Sequence, residues 1–410
     1  MTMKTATTRS RSMPAILFWL TVSFKNGGRE GWGPCLRFCG TLILTSNRYH
    51  MARLGRTELE VFNLGLGGIP IQKISPGEAS DVIRASIAGG INLAETAEGY
   101  GDSEEKLSEF LAVDRERFVI ATKSPRRTAD GMAAAIDQSL KRLKVDYIDI
   151  YQIHNLMSEE AMRQVFGAGG AMEALRAAKA AGKIRHIGIS GHRPSVLVKA
   201  LRTDEFDTVQ VPFNAVHREA EEELIPMARE MDIGIMAMKP ICGGMLDTPS
   251  LGIRYCLMSS ADIVLCGMKN VTEVEENLAT VRGYKPLDDD EEEQLLGEGS
   301  QWGDQYCRRC DYCQPCPSNV RIPKILWLAN YHRRYGAHDP WTEEEYAAME
   351  ITAADCAECG ECEEVCPYEL PIRDMLKEAD RELAISGREK AKRRLKGAIK
   401  RVIPIRRDTH

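Results

Sequence analysis

Eight of the thirteen cysteines stand in two runs near the C-terminal end: Cys307, Cys310, Cys313 and Cys316 in CRRCDYCQPCP, and Cys356, Cys359, Cys362 and Cys366 in CAECGECEEVCP. Thiolates this close in a turn-rich segment can hold several irons on one face of a cluster, with the last cysteine of each run free to tie the segments together. Structural zinc sites also use CxxC pairs, but usually as two pairs parted by a longer spacer. A second chemical set lies upstream: Glu95, Tyr100, Lys123 and His154. A buried ammonium beside a phenol makes the phenol a usable proton donor, and a carboxylate keeps the lysine charged and oriented. With a histidine polarising a carbonyl oxygen from the other side, the set suits protonation of an alkoxide as hydride reaches carbon. Taken singly, the lysine is most simply a solvated strand end and the histidine a satisfied local hydrogen bonder. Their joint placement on consecutive strand ends argues for a site.

The elements that must position these four are legible between Phe62 and Tyr284, where short β-branched runs alternate with helical patterns. The strand candidates are 63–67, 91–97, 118–124, 147–154, 184–190, 207–213, 233–240 and 262–268. Eight such units predict an α/β chain folded as a closed (β/α)8 TIM barrel, whose active sites lie at the C-terminal strand ends. Glu95 ends the second strand, Tyr100 follows it, Lys123 ends the third and His154 the fourth. ASDVIRASIAGG, DGMAAAIDQSLKRLKV and AMEALRAAKAAGK carry apolar residues at helical spacing. LDDDEEEQLL reads as the opening of a helix after the barrel, because acidic residues suit the first turn. LGLGGIP, Leu64 to Pro70, lacks the full GxGxxG spacing and reads as the first barrel strand with its turn. CGGM, Cys242 to Met245, follows the seventh strand and reads either as a flexible turn or as a cradle for a pyrophosphate.

On LGRTELEV, ETAEGYGDSE, ATK, YIDIYQIH, GIS and MKP, spread over about 52–285, the chain resembles the aldo/keto reductase superfamily. The resemblance implies Tyr100 as acid/base, Lys123 as its partner, His154 as substrate orienter, and Glu95 where the family carries aspartate. It also implies Ser190 and Gln210 as nicotinamide contacts, Lys269 and Asn270 at a phosphate-facing helix start, and Asn277 as the family's helical asparagine. Gly191 stands where the family often has asparagine, and no arginine for a 2′-phosphate is evident. NADP(H) is the family expectation, with NAD(H) as the competitor.

The second cysteine run matches the bacterial ferredoxin pattern CxxCxxCxxxCP, and the first is a variant one residue shorter. Resemblance to two-cluster ferredoxins implies two [4Fe–4S] clusters. One would take Cys307, Cys310 and Cys313 with Cys366, the other Cys356, Cys359 and Cys362 with Cys316. The expected architecture is thus the barrel followed by a small C-terminal ferredoxin-like iron–sulfur domain, in which IPKILWLANYHRRYG forms a packing helix. Nicotinamide moves two electrons together and a cluster moves one, so a flavin relay is possible although no flavin motif is visible.

The chain divides into an N-terminal extension (1–51), the barrel (52–299), the dicluster domain (300–385) and a basic tail (386–410), with 300–306 as linker. MKTATTRSRS followed by PAILFWLTVSF imitates a signal peptide, but the apolar run is too short to span a bilayer. An unstructured extension is the simpler expectation, export the alternative. The tail GREKAKRRLKGAIKRVIPIRR sets Leu395, Ala398, Ile399 and Val402 on one helical side, fit for an acidic redox partner, an anionic membrane surface or plain solvation. A net charge of −6 gives no overall attraction for nucleic acid. Cys35, Cys39, Cys242, Cys256 and Cys266 lack a disulfide pattern, and a reducing cytoplasm is expected. The reading is an NAD(P)(H)-dependent oxidoreductase acting on a small carbonyl or alcohol. Its rivals are an electron-transfer protein serving a redox partner and a non-catalytic cofactor-sensing module.

Overall fold

The computed structural model describes residues 51–244, 246–303, 306–307, 313–335, 341–366 and 368–384. Residues 1–50 of the N-terminal extension, Cys310 and the basic tail lie outside them, and Met51, expected as its last residue, belongs to the first strand. The described chain opens with an antiparallel hairpin of β1 (Met51–Arg53) and β2 (Glu60–Phe62). Leu54 and Val61 of this hairpin pack with Leu93, Val119, Ala121, Ile150, Met236 and Ile263. Arg53 is paired with Asp232 at 2.6 Å, just before the seventh barrel strand. The hairpin therefore plugs the N-terminal end of the barrel. Gly55 has φ +50 and faces the backbone of Gly234 so closely that a Cβ would collide with it, which explains the glycine of LGRT.

Eight parallel strands close the barrel: β3 (Leu64–Gly67), β4 (Leu93–Glu95), β5 (Val119–Ser124), β6 (Ile148–Ile153), β7 (Ile184–Ser190), β8 (Thr208–Pro212), β9 (Gly234–Met238) and β10 (Ile263–Gly267). They pair in chain order, and β10 returns to β3. Each lies within the segment expected of it. β3 to β6 and β8 are buried at every position, because strands covered on both faces need apolar residues continuously rather than alternately. Cys242, Cys256 and Cys266 are buried as expected, and burial pushes the Cys266 thiol up to about 12.

The helices have local reasons to start and stop. α1 (Pro76–Ala88) begins with a Ser75/Glu78 capping box and proline in its first turn. After α2 (Ser103–Val113), α3 (Ala129–Leu143) is capped by Thr128 and buries Met132, Ala135, Ile136, Ser139 and Leu143. α4 (Glu159–Phe166) and α5 (Ala171–Ala180) share the crossover to β7, and α6 (Pro194–Leu201), α7 (Leu224–Glu230), α8 (Pro249–Met258) and α9 (Val271–Arg282) follow the remaining strands. At the closed end, the buried Asp149 holds three strands together: Arg115 at 2.8 Å, Arg185 at 3.3 Å and the Ile120 N–H at 2.9 Å.

The acidic run opens α10 (Asp289–Gly303), which continues through the first residues of the expected linker. Beyond it a second core forms between α11 (Ile322–Tyr335), α12 (Trp341–Ala347), α13 (Glu361–Glu364) and α14 (Ile372–Leu383). Ile322, Ile325, Leu326 and Ala329 meet Met375, Leu376 and Ala379 there, and Cys307, Cys313, Cys316, Cys356, Cys362 and Cys366 lie half-buried against it. No helix among the described residues is long and apolar enough to cross a membrane.

Candidate functional site

With the hairpin filling one end, the barrel is left to present chemistry at the C-terminal strand ends. Glu95 ends β4 and Lys123 sits near the end of β5, and their buried side chains form an ion pair. The Lys123 ammonium also donates to the Thr96 carbonyl at 2.8 Å. Burial holds the lysine pKa below its ordinary value, and the Glu95 charge offsets only part of that lowering. Tyr100 follows β4 in the loop before α2, half-buried, with the Lys123 ammonium 4.6 Å from its ring centroid. His154, just past β6, meets the same phenol edge-on at 5.9 Å between ring centres. Burial first, then the charges of Lys123 and Arg127, pull the His154 pKa down to about 2. Its imidazole is therefore neutral at physiological pH.

The four expected residues are thus brought together, and joined to them are Gln210, expected as a nicotinamide contact, and Gln152, which nothing in the sequence marked out. Gln210 on β8 donates to Glu95 Oε1 at 2.8 Å and accepts from Gln152 of β6 at 2.7 Å. The Glu95 carboxylate therefore serves lysine and glutamine at once. Gln152 Oε1 is buried with no hydrogen-bond partner. Ser190 ends β7 and is buried, accepting from the Asn155 N–H at 3.1 Å. A side chain at Gly191 would lie 2.7 Å from the Leu156 carbonyl, so asparagine does not fit there without movement. Beside it, Lys239 meets His192 Nε2 at 2.8 Å, and His192 Nδ1 meets Asn155 Oδ1 at 3.0 Å.

Lys269 and Asn270 are exposed at the start of α9, where Asn270 caps the helix by accepting from the Glu273 N–H at 2.8 Å. The Glu273 carboxylate in turn accepts from the Lys269 N–H at 2.9 Å. Asn277 lies half-buried farther along the helix. In the CGGM turn, Cys242 and the two glycines all have positive φ.

In the cysteine segment, Cys313, Cys316, Cys356, Cys359 and Cys362 line one cavity of about 240 Å³. Four of these, Cys316 with the trio from the second run, are the set that the ferredoxin resemblance implied. Among the described residues, no three metal-binding side chains converge on a position for a single ion. The segment touches the barrel on loops that follow strands. Lys73, after β3, reaches the Tyr331 hydroxyl at 3.2 Å and lies 4.0 Å from the Trp341 ring centre. Tyr368 donates to Glu219 at 3.2 Å after β8, and Tyr306 meets His217 edge-on.

Comparisons with known proteins agree with this architecture. Residues 63–252 match the family model described as aldo/keto reductase family, and residues 306–371 match that of a 4Fe-4S dicluster domain. An uncharacterized oxidoreductase of Bacillus subtilis, YqkF, is 30% identical over 208 residues, 47% of this chain and 65% of the relative. The chain thus spans a little under two thirds of that relative's length. The L-galactose dehydrogenase of Arabidopsis thaliana is 27% identical over 296 residues, covering 60% of this chain and 92% of the relative. An aldo-keto reductase from Klebsiella pneumoniae, solved in complex with NADPH, shares the fold at a TM-score of 0.52 and 23% identity, over 60% of this chain and 93% of that one. The family models thus show an aldo/keto reductase domain over residues 63–252 and a 4Fe-4S dicluster domain over residues 306–371.

Proposed function

We propose that the barrel is an oxidoreductase site that reduces a small carbonyl compound, or oxidises the matching alcohol, with NADP(H) or NAD(H). The observation that carries this reading is the buried Glu95–Lys123 pair lying beside the Tyr100 ring, with neutral His154 edge-on to that same ring. Nicotinamide, when bound, supplies or takes up the hydride. Tyr100 gives its phenolic proton to the developing alkoxide, and the Lys123 ammonium stabilises the phenolate left behind. Glu95, held in turn by Gln210, keeps the ammonium charged in its buried setting. His154 orients the carbonyl oxygen by donating a hydrogen bond from a neutral ring, which leaves Tyr100 as the proton donor.

The residues present fit a nicotinamide. The unpartnered Gln152 Oε1, next to Gln210 and one strand from Ser190, is an acceptor that a carboxamide N–H would satisfy. Lys269, Asn270 and Asn277 would hold the far end of the dinucleotide. The Klebsiella relative was solved with NADPH, which favours NADP(H). Glu273, in the first turn of α9, would repel an added phosphate. Parallel fluorescence titrations with NADPH and NADH, followed by turnover of an aldehyde panel, test the assignment. Binding without turnover of any carbonyl would replace it with the cofactor-sensing reading.

The cysteine segment fits iron–sulfur chemistry: its thiols spread around a cavity wall, as a multi-iron cluster requires. Cys316, Cys356, Cys359 and Cys362 would hold one [4Fe–4S] cluster, and Cys307, Cys310, Cys313 and Cys366 the other. A second reading, electron exchange between barrel and clusters, is favoured by the contacts of Lys73, Glu219 and His217 with the cysteine segment. It requires a flavin to part the hydride into single electrons and a redox protein to receive them. Anaerobic addition of NADPH to iron-loaded protein tests it. Bleaching of the cluster absorbance supports exchange, and unchanged absorbance with nicotinamide bound rules it out.

A further inference from the structure

Arg127 stands apart from the other cations on the Lys123 side of the barrel. Lys123 is paired with Glu95, Arg126 with Glu98 at 2.9 Å, and Arg142 with Glu104 at 3.2 Å. Among the described residues Arg127 has no carboxylate. Its Nη2 donates to two carbonyls at the C-terminal end of β6, those of His154 at 2.7 Å and Asn155 at 3.0 Å. Its Nη1 is buried with no hydrogen-bond partner. Burial alone acts on the guanidinium, and acts to lower its pKa, with no neighbouring anion to oppose it. The backbone at this point is fixed as well: the Arg127 carbonyl accepts from the Ala171 N–H at 2.9 Å, and the Ala129 N–H donates to Gly169 at 2.7 Å.

A guanidinium is held in place beside the histidine that faces Tyr100, half-desolvated and with a donor left over. Such an arrangement is costly until an anion supplies the missing acceptor, and the planar fork of arginine is matched to a carboxylate. We propose that Arg127 is an anion-recognition residue at the mouth of the barrel, and that the preferred substrate carries a carboxylate a few bonds from its carbonyl carbon. The inference rests on the oxidoreductase reading for the word substrate, but its binding test does not.

Calorimetric titration of the full-length protein with butanoate and with its neutral isostere butanamide, with and without NADP+, gives that test. The wild type is expected to bind butanoate about 10- to 100-fold more tightly, the range for a charge-assisted hydrogen bond. Arg127→Gln should abolish the difference and Arg127→Lys should keep part of it, with thermal melts confirming that each variant is folded. Equal affinities in the wild type, or an equal loss for both ligands in Arg127→Gln, would overturn the proposal. Turnover separates it from the parent reading. If succinic semialdehyde and butanal are reduced equally well by wild type and Arg127→Gln, the anion site falls and the reductase stands. If neither is turned over while the butanoate preference persists in Tyr100→Phe, the anion site stands alone.

Discussion

At the residue scale the site is an arrangement of charges whose individual states depend on one another. Tyr100→Phe removes only the proton that the proposed reaction donates, so turnover should fall by about 10²- to 10⁴-fold while nicotinamide fluorescence quenching is unchanged. Glu95→Asp restores the family's residue type but shortens a carboxylate that here reaches both Lys123 and Gln210. The expected result is lower turnover, measured as kcat with the same aldehyde. Higher turnover would mean that the longer side chain is a defect. His154 gives a pH prediction. Its folded pKa of about 2 lies below the ordinary 6.5, so between those values the unfolded chain binds a proton that the folded chain does not. Stability contributed by the neutral ring is complete above about pH 6.5 and is lost as the pH falls from there towards 2. The slope is at most about 1.4 kcal/mol per pH unit. His154→Gln should flatten the corresponding part of a denaturation series between pH 6 and pH 4.

At the scale of elements, the geometry of the candidate site depends on how neighbouring strands are held in register. Asp149 does this at the closed end of the barrel, taking a backbone N–H from β5 and guanidinium groups of Arg115 and Arg185 while 2% exposed. Asp149→Ala leaves the buried Ile120 N–H without its acceptor and Arg115 without its carboxylate, and should cost about 2 kcal/mol in urea unfolding. A change below about 1 kcal/mol would show that strand packing alone sets the register. The strands themselves were legible as short β-branched runs, since barrel strands are buried on both faces and need apolar residues at nearly every position. The hairpin 51–62 was not legible. Its strands are three residues each, and their reason to exist is the open end of the barrel that they fill.

For the whole molecule, the cysteine segment is joined to the barrel by more than its connecting chain. Tyr306 packs within the barrel's hydrophobic core, Tyr368 holds Glu219, and Lys73 lies between Tyr331 and Trp341. Stripping iron with a chelator under reducing conditions should therefore lower the melting temperature of the barrel as well as bleach the visible absorbance, because metal binding and local folding are linked. A barrel transition that does not move would mean that the two units are thermally independent.

The barrel, its strand order, the four side chains at its mouth and the cysteine runs were legible residue by residue, because periodicity and spacing are local properties of a chain. The partners that those side chains take were not legible, because folding selects them. The bonds from Glu95 to Gln210 and from Gln210 to Gln152, and the arginine beside His154 left without an anion, join residues from different strands and loops. Their contacts follow from closure of the sheet, and their charge states follow from burial, neither of which any short stretch of residues encodes.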